Sequence, residues 1–251
     1  MRRSKHSSIA IALLCGLLSL SILNEPGLAN SQTSNARQGL PGRRISGGSR
    51  SPSTACLLSD SEANQKVVSL TPEDNLNRTV LTHPTFWFSL PAIESSRQIE
   101  FALIDQDEEL IYAETLQATG KAGLESVSLP QTVPALQPDQ AYKWHLSVVC
   151  NPNSRATDLV VWGWIERTLA QSSTLQQIEQ ATPQERLALY SNLSAWNDTL
   201  TELVALHRDR QLSNQPTTDL EDQWTKLLAS ESLNQIIDGS SLTSLVELPA
   251  Q

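Results

Sequence analysis

Cys56 and Cys150 are the two residues whose chemistry is most directly implied by the sequence of this 251-residue chain. The third cysteine, Cys15, lies in an apolar N-terminal segment that we expect to be removed. An even number of cysteines in an exported chain indicates a disulfide, because disulfides persist outside the reducing cytoplasm. Cys150 shares the alternating face of Tyr142 and Trp144, so its sulfur is expected to point into a core. The sequence therefore predicts a disulfide between Cys56 and Cys150, and the alternative is two separate buried thiols.

Charged and imidazole side chains offer two further kinds of site. Clustered carboxylates can bind calcium, but the glycine and the spacing of an EF-hand loop are absent here, which favours a solvated hairpin tip. His83 and His145 have no cysteine or second histidine at ligand spacing, so no zinc site is predicted. No Gly-x-Ser-x-Gly elbow is present either, and no cofactor is expected. The clustered carboxylates are those of Asp105, Asp107, Glu108 and Glu109.

The chain contains six tryptophans, which makes aromatic recognition a second hypothesis. Trp87, Trp162 and Trp164 could stack on sugar rings if they are exposed. Tryptophans that recur at every second position of a strand are, however, typical of a buried hydrophobic core. The candidate interaction residues are Trp87, Trp162, Tyr190 and Trp196.

The N-terminal segment predicts where the protein is located. Arg2, Arg3 and Lys5 precede an apolar run over residues 9–23, and small residues lead up to Ala29. This is the pattern of a cleaved secretory signal over residues 1–29, with cleavage near Ala29 and a secreted or periplasmic product. The alternative is an uncleaved anchor, although the apolar run is shorter than the roughly 20 residues that a spanning helix needs.

Charge limits the possible partners. The net charge of −9 gives no electrostatic basis for binding nucleic acid. Residues 30–55 differ from the rest of the chain, because they combine arginines with serine, glycine and amide residues and contain few large apolar side chains. Such a composition predicts a disordered basic linker. The alternative is a tether that touches anionic lipid, glycan or an acidic partner, which makes the protein peripheral to a membrane at most.

Residues 56–168 are predicted to form a β-sandwich domain. Apolar and polar residues alternate along several short segments that end at turn residues or prolines, which indicates half-buried strands. Leu136, Pro138, Tyr142 and Trp144 follow the turn-and-strand pattern of fibronectin-type and immunoglobulin-like sandwiches. The predicted strand segments lie in residues 85–90, 99–104, 110–112, 127–129, 142–150 and 159–165.

Residues 169–239 are predicted to be helical, with a tail over 240–251. Thr182-Pro183-Gln184-Glu185 predicts a capped helix start, and Thr218-Asp219-Leu220-Glu221 repeats the pattern. Residues 190–200 resemble one hairpin of a tetratricopeptide repeat, a module that binds peptides in a groove, but no second copy follows. The alternative is a helical cap on the sheet. Because residues 159–165 are apolar on both faces, we expect the helices to cover a sheet face that includes Trp162 or Trp164.

The combined motifs resemble a cyanobacterial family of secreted proteins known as domain of unknown function 928. The resemblance covers about residues 42–230 and implies the domain plan and the compartment, but no activity and no catalytic residues. The resembling residues are Gly42-Arg43-Arg44, Gly47-Gly48-Ser49-Arg50, Pro84-Thr85-Phe86-Trp87-Phe88, Tyr142-Lys143-Trp144, Val149-Cys150-Asn151-Pro152, Gly163-Trp164-Ile165-Glu166-Arg167 and Thr182-Pro183-Gln184-Glu185-Arg186, with Tyr190 and Trp196.

Three function classes are compatible with these patterns. The first is a non-enzymatic envelope protein, a sandwich with a helical module that binds another envelope protein. The second is a glycan-binding module that uses exposed tryptophans. The third is a hydrolase whose carboxylates are far apart in sequence. An apolar groove on the helices would favour the first, coplanar exposed tryptophans the second, and paired carboxylates in a deep pocket the third.

Overall fold

The computed structural model describes residues 40–46, 57–58, 66–235, 237 and 242. All of them belong to one compact unit, Arg37–Gln251. The predicted signal peptide, Cys56 and most of the predicted tail lie outside the described residues.

Eight strands in the described part form two sheets. A three-stranded sheet has the order β1-β3-β6, and a five-stranded sheet has the order β2-β8-β7-β4-β5. All neighbours are antiparallel except β2 and β8, which are parallel. The strands are β1 (Val68–Ser69), β2 (Leu76–Thr79), β3 (Thr85–Leu90), β4 (Gln98–Ile104), β5 (Leu110–Gln117), β6 (Gly123–Ser128), β7 (Ala141–Val148) and β8 (Leu159–Arg167).

The inward faces of the two sheets share one hydrophobic core. Burial alternates along β3 and β7, as the period of two predicts. Aromatic rings from both sheets meet in this core, with 4.9 Å between the ring centres of Phe86 and Phe101 and 5.6 Å between those of Phe88 and Trp144. The two sheets therefore pack face to face, and the side chains of β3 and β7 hold them together.

A hydrogen bond fixes the turn that leads into β7. The hydroxyl of Tyr142 accepts the backbone N–H of Gln137 at 3.0 Å. Leu136, beside it, is fully buried. The predicted turn-and-strand pattern thus places a buried tyrosine so that it satisfies a backbone donor in the preceding turn.

Four helices follow the strands, which confirms the mixed α+β class. At the start of α2 the hydroxyl of Thr182 accepts the N–H of Glu185, and the Glu185 carboxylate accepts the N–H of Thr182, so the predicted capping box is present. The capping pattern predicted at Thr218 is absent. The helix α4 begins at Thr218 itself, and the side chain of Thr217, which precedes it, makes no capping bond. The helices are α1 (Ser172–Gln180), α2 (Pro183–Asn192), α3 (Trp196–Leu212) and α4 (Thr218–Ser230), followed by a 3₁₀ turn at Leu233–Gln235.

The helices cover the outer face of the three-stranded sheet. Trp87 of β3 donates its indole N–H to the Thr201 hydroxyl of α3 at 3.0 Å. Trp196 donates its indole N–H to the carbonyl of Leu70 at 2.8 Å. Side chains of β1, β6 and the helices form a second buried cluster here.

The predicted contact of the helices with Trp162 or Trp164 is therefore wrong. These residues lie on the outer face of the five-stranded sheet, where burial along β8 alternates between full and partial. That face also carries the polar side chains of Lys143 and His145. The outer face of the three-stranded sheet instead contributes Val68 and Leu124 to an apolar cluster shared with the helices. Removing the more apolar face from water is more favourable, so the helices cover the three-stranded sheet.

Residues 40–46, which the sequence assigns to the linker, connect the two sheets. Arg43 exchanges backbone hydrogen bonds with Trp162 of β8 at 2.8 and 3.1 Å. Two residues later, Ile45 pairs with Val68 of β1. Backbone hydrogen bonds require no apolar side chains, so a polar composition does not prevent this pairing.

Candidate functional site

A concave surface lies between three helices of the described part of the chain, and we call it the helical groove. It is lined by α2, α3 and α4 and has a cavity volume of about 490 Å³. Arg210 of α3 donates to Gln184 near the start of α2 at 3.0 Å and to Asp219 near the start of α4 at 2.6 Å. The starts of α2 and α4 therefore lie at the same end of α3, and the two helices form the walls of the groove.

The helical groove has an apolar floor and a polar rim. Leu187 and Leu203 are buried in the floor, and Leu227 beside them is partly buried. Thr199 also lies in the floor, and its hydroxyl donates to the carbonyl of Ala195 at 2.8 Å. The described rim residues are Gln184, Ala188, Ser191, Asn192, Gln223, Lys226 and Ser230.

These residue types match the groups of an extended peptide. Amide and hydroxyl side chains donate and accept hydrogen bonds, as peptide N–H and C=O groups require. The apolar floor accepts an aliphatic or aromatic side chain, and burial of apolar area supplies the main favourable term. Lys226 is the one charged side chain among the described lining residues.

An ion pair fixes α2 against α3 beside the groove. Arg186 of α2 makes a bidentate contact with Glu202 of α3, with both N···O distances 2.8 Å. Hydrogen bonding to Glu202 raises the pKa of Arg186, so the guanidinium stays charged. A bidentate arginine–carboxylate pair has a fixed geometry, which sets the spacing of these two helices.

Asp198 attaches the start of α3 to the five-stranded sheet. Its buried carboxylate accepts the hydroxyl of Thr79 and, at 2.7 Å, the backbone N–H of Val80. Burial raises the pKa of Asp198 to about 6, although the hydrogen bonds from Thr79, Val80 and Leu81 oppose the rise. The floor of the groove is thus tied to β2 through a group that titrates near neutrality.

Three of the four candidate interaction residues lie inside the protein. Trp196 is buried and Trp87 partly buried between the helices and the three-stranded sheet. Tyr190 is buried in a small cluster with Val80 and Ile178, where burial raises its pKa to about 12. None of these three lines the helical groove.

Trp162 lies on the outer face of the five-stranded sheet. Its ring stacks with that of His145 at 6.1 Å, with 20° between the ring planes. The ammonium of Lys143 lies 4.7 Å from the centre of the same ring. Trp164 donates its indole N–H to the carbonyl of Pro41 at 2.8 Å. The structure therefore engages Trp162 with two neighbouring side chains and does not pair it with Trp164.

Cys150 is buried in the core, as the alternation of its strand predicts. Its backbone N–H donates to Asp158 at 3.2 Å, and its carbonyl accepts from Arg97 at 2.7 Å. Cys56 lies outside the described residues, so its pairing with Cys150 stays a prediction.

The remaining chemical groups serve local structure. In the hairpin between β4 and β5, Asp105 accepts the N–H groups of Asp107 and Glu109, both at 2.9 Å. His83 contacts Thr82 and the carbonyl of Val133. No group of three metal-ligating side chains occurs in the described part of the chain. Among the described helices, none is long and apolar enough to cross a bilayer.

Sequence patterns alone did not identify the groove residues. Gln184, Asn192 and Lys226 are ordinary polar residues of exposed helix surfaces. The available signal was Leu227, which widens the apolar face of α4 beyond the stripe formed by its neighbours. A wider stripe indicates a second packing surface, but it does not show which elements flank it.

The family model described as Domain of Unknown Function (DUF928) matches residues 45–240 of this chain. No curated protein and no solved structure matches the chain.

Proposed function

Because the chain belongs to the DUF928 family, whose description names no activity, we propose its function from the helical groove. The protein is a non-enzymatic module that binds a segment of another envelope protein. The observation that carries this proposal is an open groove with an apolar floor of Leu187, Leu203 and Leu227 and an amide-rich rim. Such a surface presents the groups that an extended segment needs, without the paired carboxylates of a hydrolytic site.

The strand order supports an immunoglobulin-like sandwich as the scaffold of this module. Three strands in one sheet and a five-stranded partner sheet, with β2 running parallel to the last strand, are compatible with that architecture. The hydroxyl of Tyr142 bonded to the backbone of Gln137 corresponds to the tyrosine corner of such domains. Sandwiches of this kind are frequent in interaction proteins, and this analogy adds to the groove geometry without replacing it.

Export is the second part of the proposal. The basic start, the apolar run and the small residues before Asn30 support cleavage after Ala29 and release to the periplasm or the exterior. N-terminal sequencing of the natural protein should give a chain that begins at Asn30. Recovery of an intact Met1, or of a cytosolic pool alone, would contradict export.

Site-specific crosslinking in living cells tests the binding site. A photoreactive amino acid at the exposed rim position Ala188 should give a discrete crosslinked species, because the bound segment lies beside it. The matched control places the same amino acid at Thr225, an exposed position of α4 that does not line the groove. Equal crosslinking at both positions, or none at Ala188, would contradict the proposed function.

Neither alternative function is proposed. The glycan hypothesis expects coplanar exposed tryptophans, whereas Trp162 stacks with His145 and the indole N–H of Trp164 is bonded to the carbonyl of Pro41. A carboxylate-dependent hydrolase needs acidic groups in its pocket, and the described lining of the helical groove contains none.

A further inference from the structure

We propose that the segment bound in the helical groove carries a carboxylate, from an aspartate, a glutamate or a chain terminus, which pairs with Lys226. This inference rests on the proposed function and specifies the chemistry of the partner. An apolar side chain of the same segment contacts the floor next to that carboxylate. The partner is thus an acidic-apolar peptide segment.

The charges around the groove carry the first step. Arg186 is paired with Glu202, and Arg210 is paired with Asp219. Lys226 is exposed, lines the groove and makes no ion pair with any described residue. Of these three described cations, its ammonium is the one without an ion pair to another described residue, and a carboxylate of a ligand in the groove can contact it.

The positions of the apolar groups carry the second step. Leu227 follows Lys226 directly and contributes to the apolar floor with Leu203. A ligand side chain on this floor therefore lies within one or two peptide residues of the ammonium, because successive residues of an extended chain are about 3.3 Å apart. The expected motif is an apolar residue with an acidic residue one or two positions away.

The overall charge makes the effect of Lys226 local. The chain has a net charge of −9, so its total field repels an acidic segment. Lys226 therefore sets which segment is accepted after contact, and it does not steer a segment from a distance. Screening by salt should weaken the pairing with the acidic residue while leaving the apolar contact in place.

Selection from a phage-displayed library of random linear peptides, on the mature chain, tests this inference. The wild type should enrich peptides with an aspartate or glutamate near an apolar residue. Lys226→Glu should enrich lysine or arginine at the same position, because the reversed charge selects the opposite partner. The matched control is Lys121→Glu, which makes the same change of charge at an exposed position outside the groove, and it should select as the wild type does.

Binding measurements on one selected peptide complete the test. Replacing its acidic residue by the corresponding amide should weaken binding to the wild type about two- to fivefold, as expected for loss of one solvent-exposed ion pair. The same replacement should leave binding to Lys226→Gln unchanged, because that variant has no ammonium to lose.

The outcomes separate this inference from the proposed function. The carboxylate inference would be overturned if the selected peptides showed no acidic preference, or if the acidic preference survived Lys226→Glu. Either result would leave the proposal of peptide binding intact. Failure to enrich any peptide would overturn both. Concentration-dependent dimerisation that is abolished by Leu227→Asp, without peptide enrichment, would replace the peptide with a second copy of the chain as the occupant.

Discussion

The buried carboxylate of Asp198 couples the stability of the protein to pH. Its pKa is about 6 in the folded chain, against an ordinary value of 3.8. A raised pKa means that the folded state binds the proton more tightly than the unfolded state does. The stabilisation by protonation is therefore complete below about pH 3.8 and is lost as the pH rises through about 6.

We expect the difference in free energy of unfolding between the wild type and Asp198→Asn to change between pH 3.8 and about pH 6. A shift of about two pKa units corresponds to roughly 3 kcal/mol, which the wild type gains relative to the variant as the pH falls from above 6 to below 4. Urea unfolding at a series of pH values measures the difference. Parallel curves for the two proteins would show that Asp198 does not titrate in this range.

Gly163 of β8 is required because Trp144 lies directly opposite it on β7. A Cβ atom at this position would lie 2.8 Å from the Trp144 ring and 3.3 Å from the carbonyl of Asn75. Because Trp144 is fully buried, overpacking against its ring by Gly163→Ala should lower the free energy of unfolding by about 1–3 kcal/mol. The control Val160→Ala, on the outer face of the same strand, should cost less than about 1 kcal/mol. Similar values for both would refute the steric argument.

Single residues were predictable where one local pattern determined their environment. Tyr142 and Trp144 were predicted to point inward because alternation on one strand specifies a face. Asp198 could not be predicted, because its partners Thr79 and Val80 are more than a hundred positions away in sequence. The groove could not be predicted either, because Leu187, Leu203 and Leu227 lie on three different helices and meet only after these helices have packed together.

At the level of elements, the helices act as the cover of the three-stranded sheet. A chain that ends at Thr168 loses α1–α4 and exposes the outer face formed by Val68, Trp87 and Leu124. We expect this shortened chain to bind a hydrophobic dye strongly and to elute as aggregates in size-exclusion chromatography, whereas the full mature chain should do neither. A monomeric shortened chain that binds no dye would show that the helices form an independent domain.

Element boundaries followed from the sequence where the signal was chemical and local. The capping box at Thr182 and Glu185 predicted the start of α2 because both partners lie within one turn. α1 has no such box, since Gln171 precedes it without a side-chain cap. The face covered by the helices was predicted wrongly, because the composition of β8 alone could not be compared with the apolar character of a sheet assembled from β1, β3 and β6.

At the level of the whole molecule, the predicted disulfide joins Cys56, which precedes β1, to Cys150, which follows β7. Labelling of the unfolded, unreduced mature chain should find no free thiol, and reduction should lower the melting temperature. The chain-entropy model gives about 4.7 kcal/mol for a loop of this length, as an upper value. A Cys56→Ser, Cys150→Ser double variant should melt like the reduced protein. Two reactive thiols in the unreduced chain would rule the bond out.

The parallel pairing of β2 with β8 and the bridge from Arg43 to Trp162 also determine when the fold can form. A ribosome or an export channel delivers Arg43 and β2 long before it delivers β8. The five-stranded sheet therefore cannot close until residues 159–167 have emerged, and β2 and Arg43 lack their partner strand up to that moment. Contacts so distant in sequence make folding slow, because the intervening loop must be ordered first. Such late closure is compatible with the export proposed above, in which the chain folds only after release.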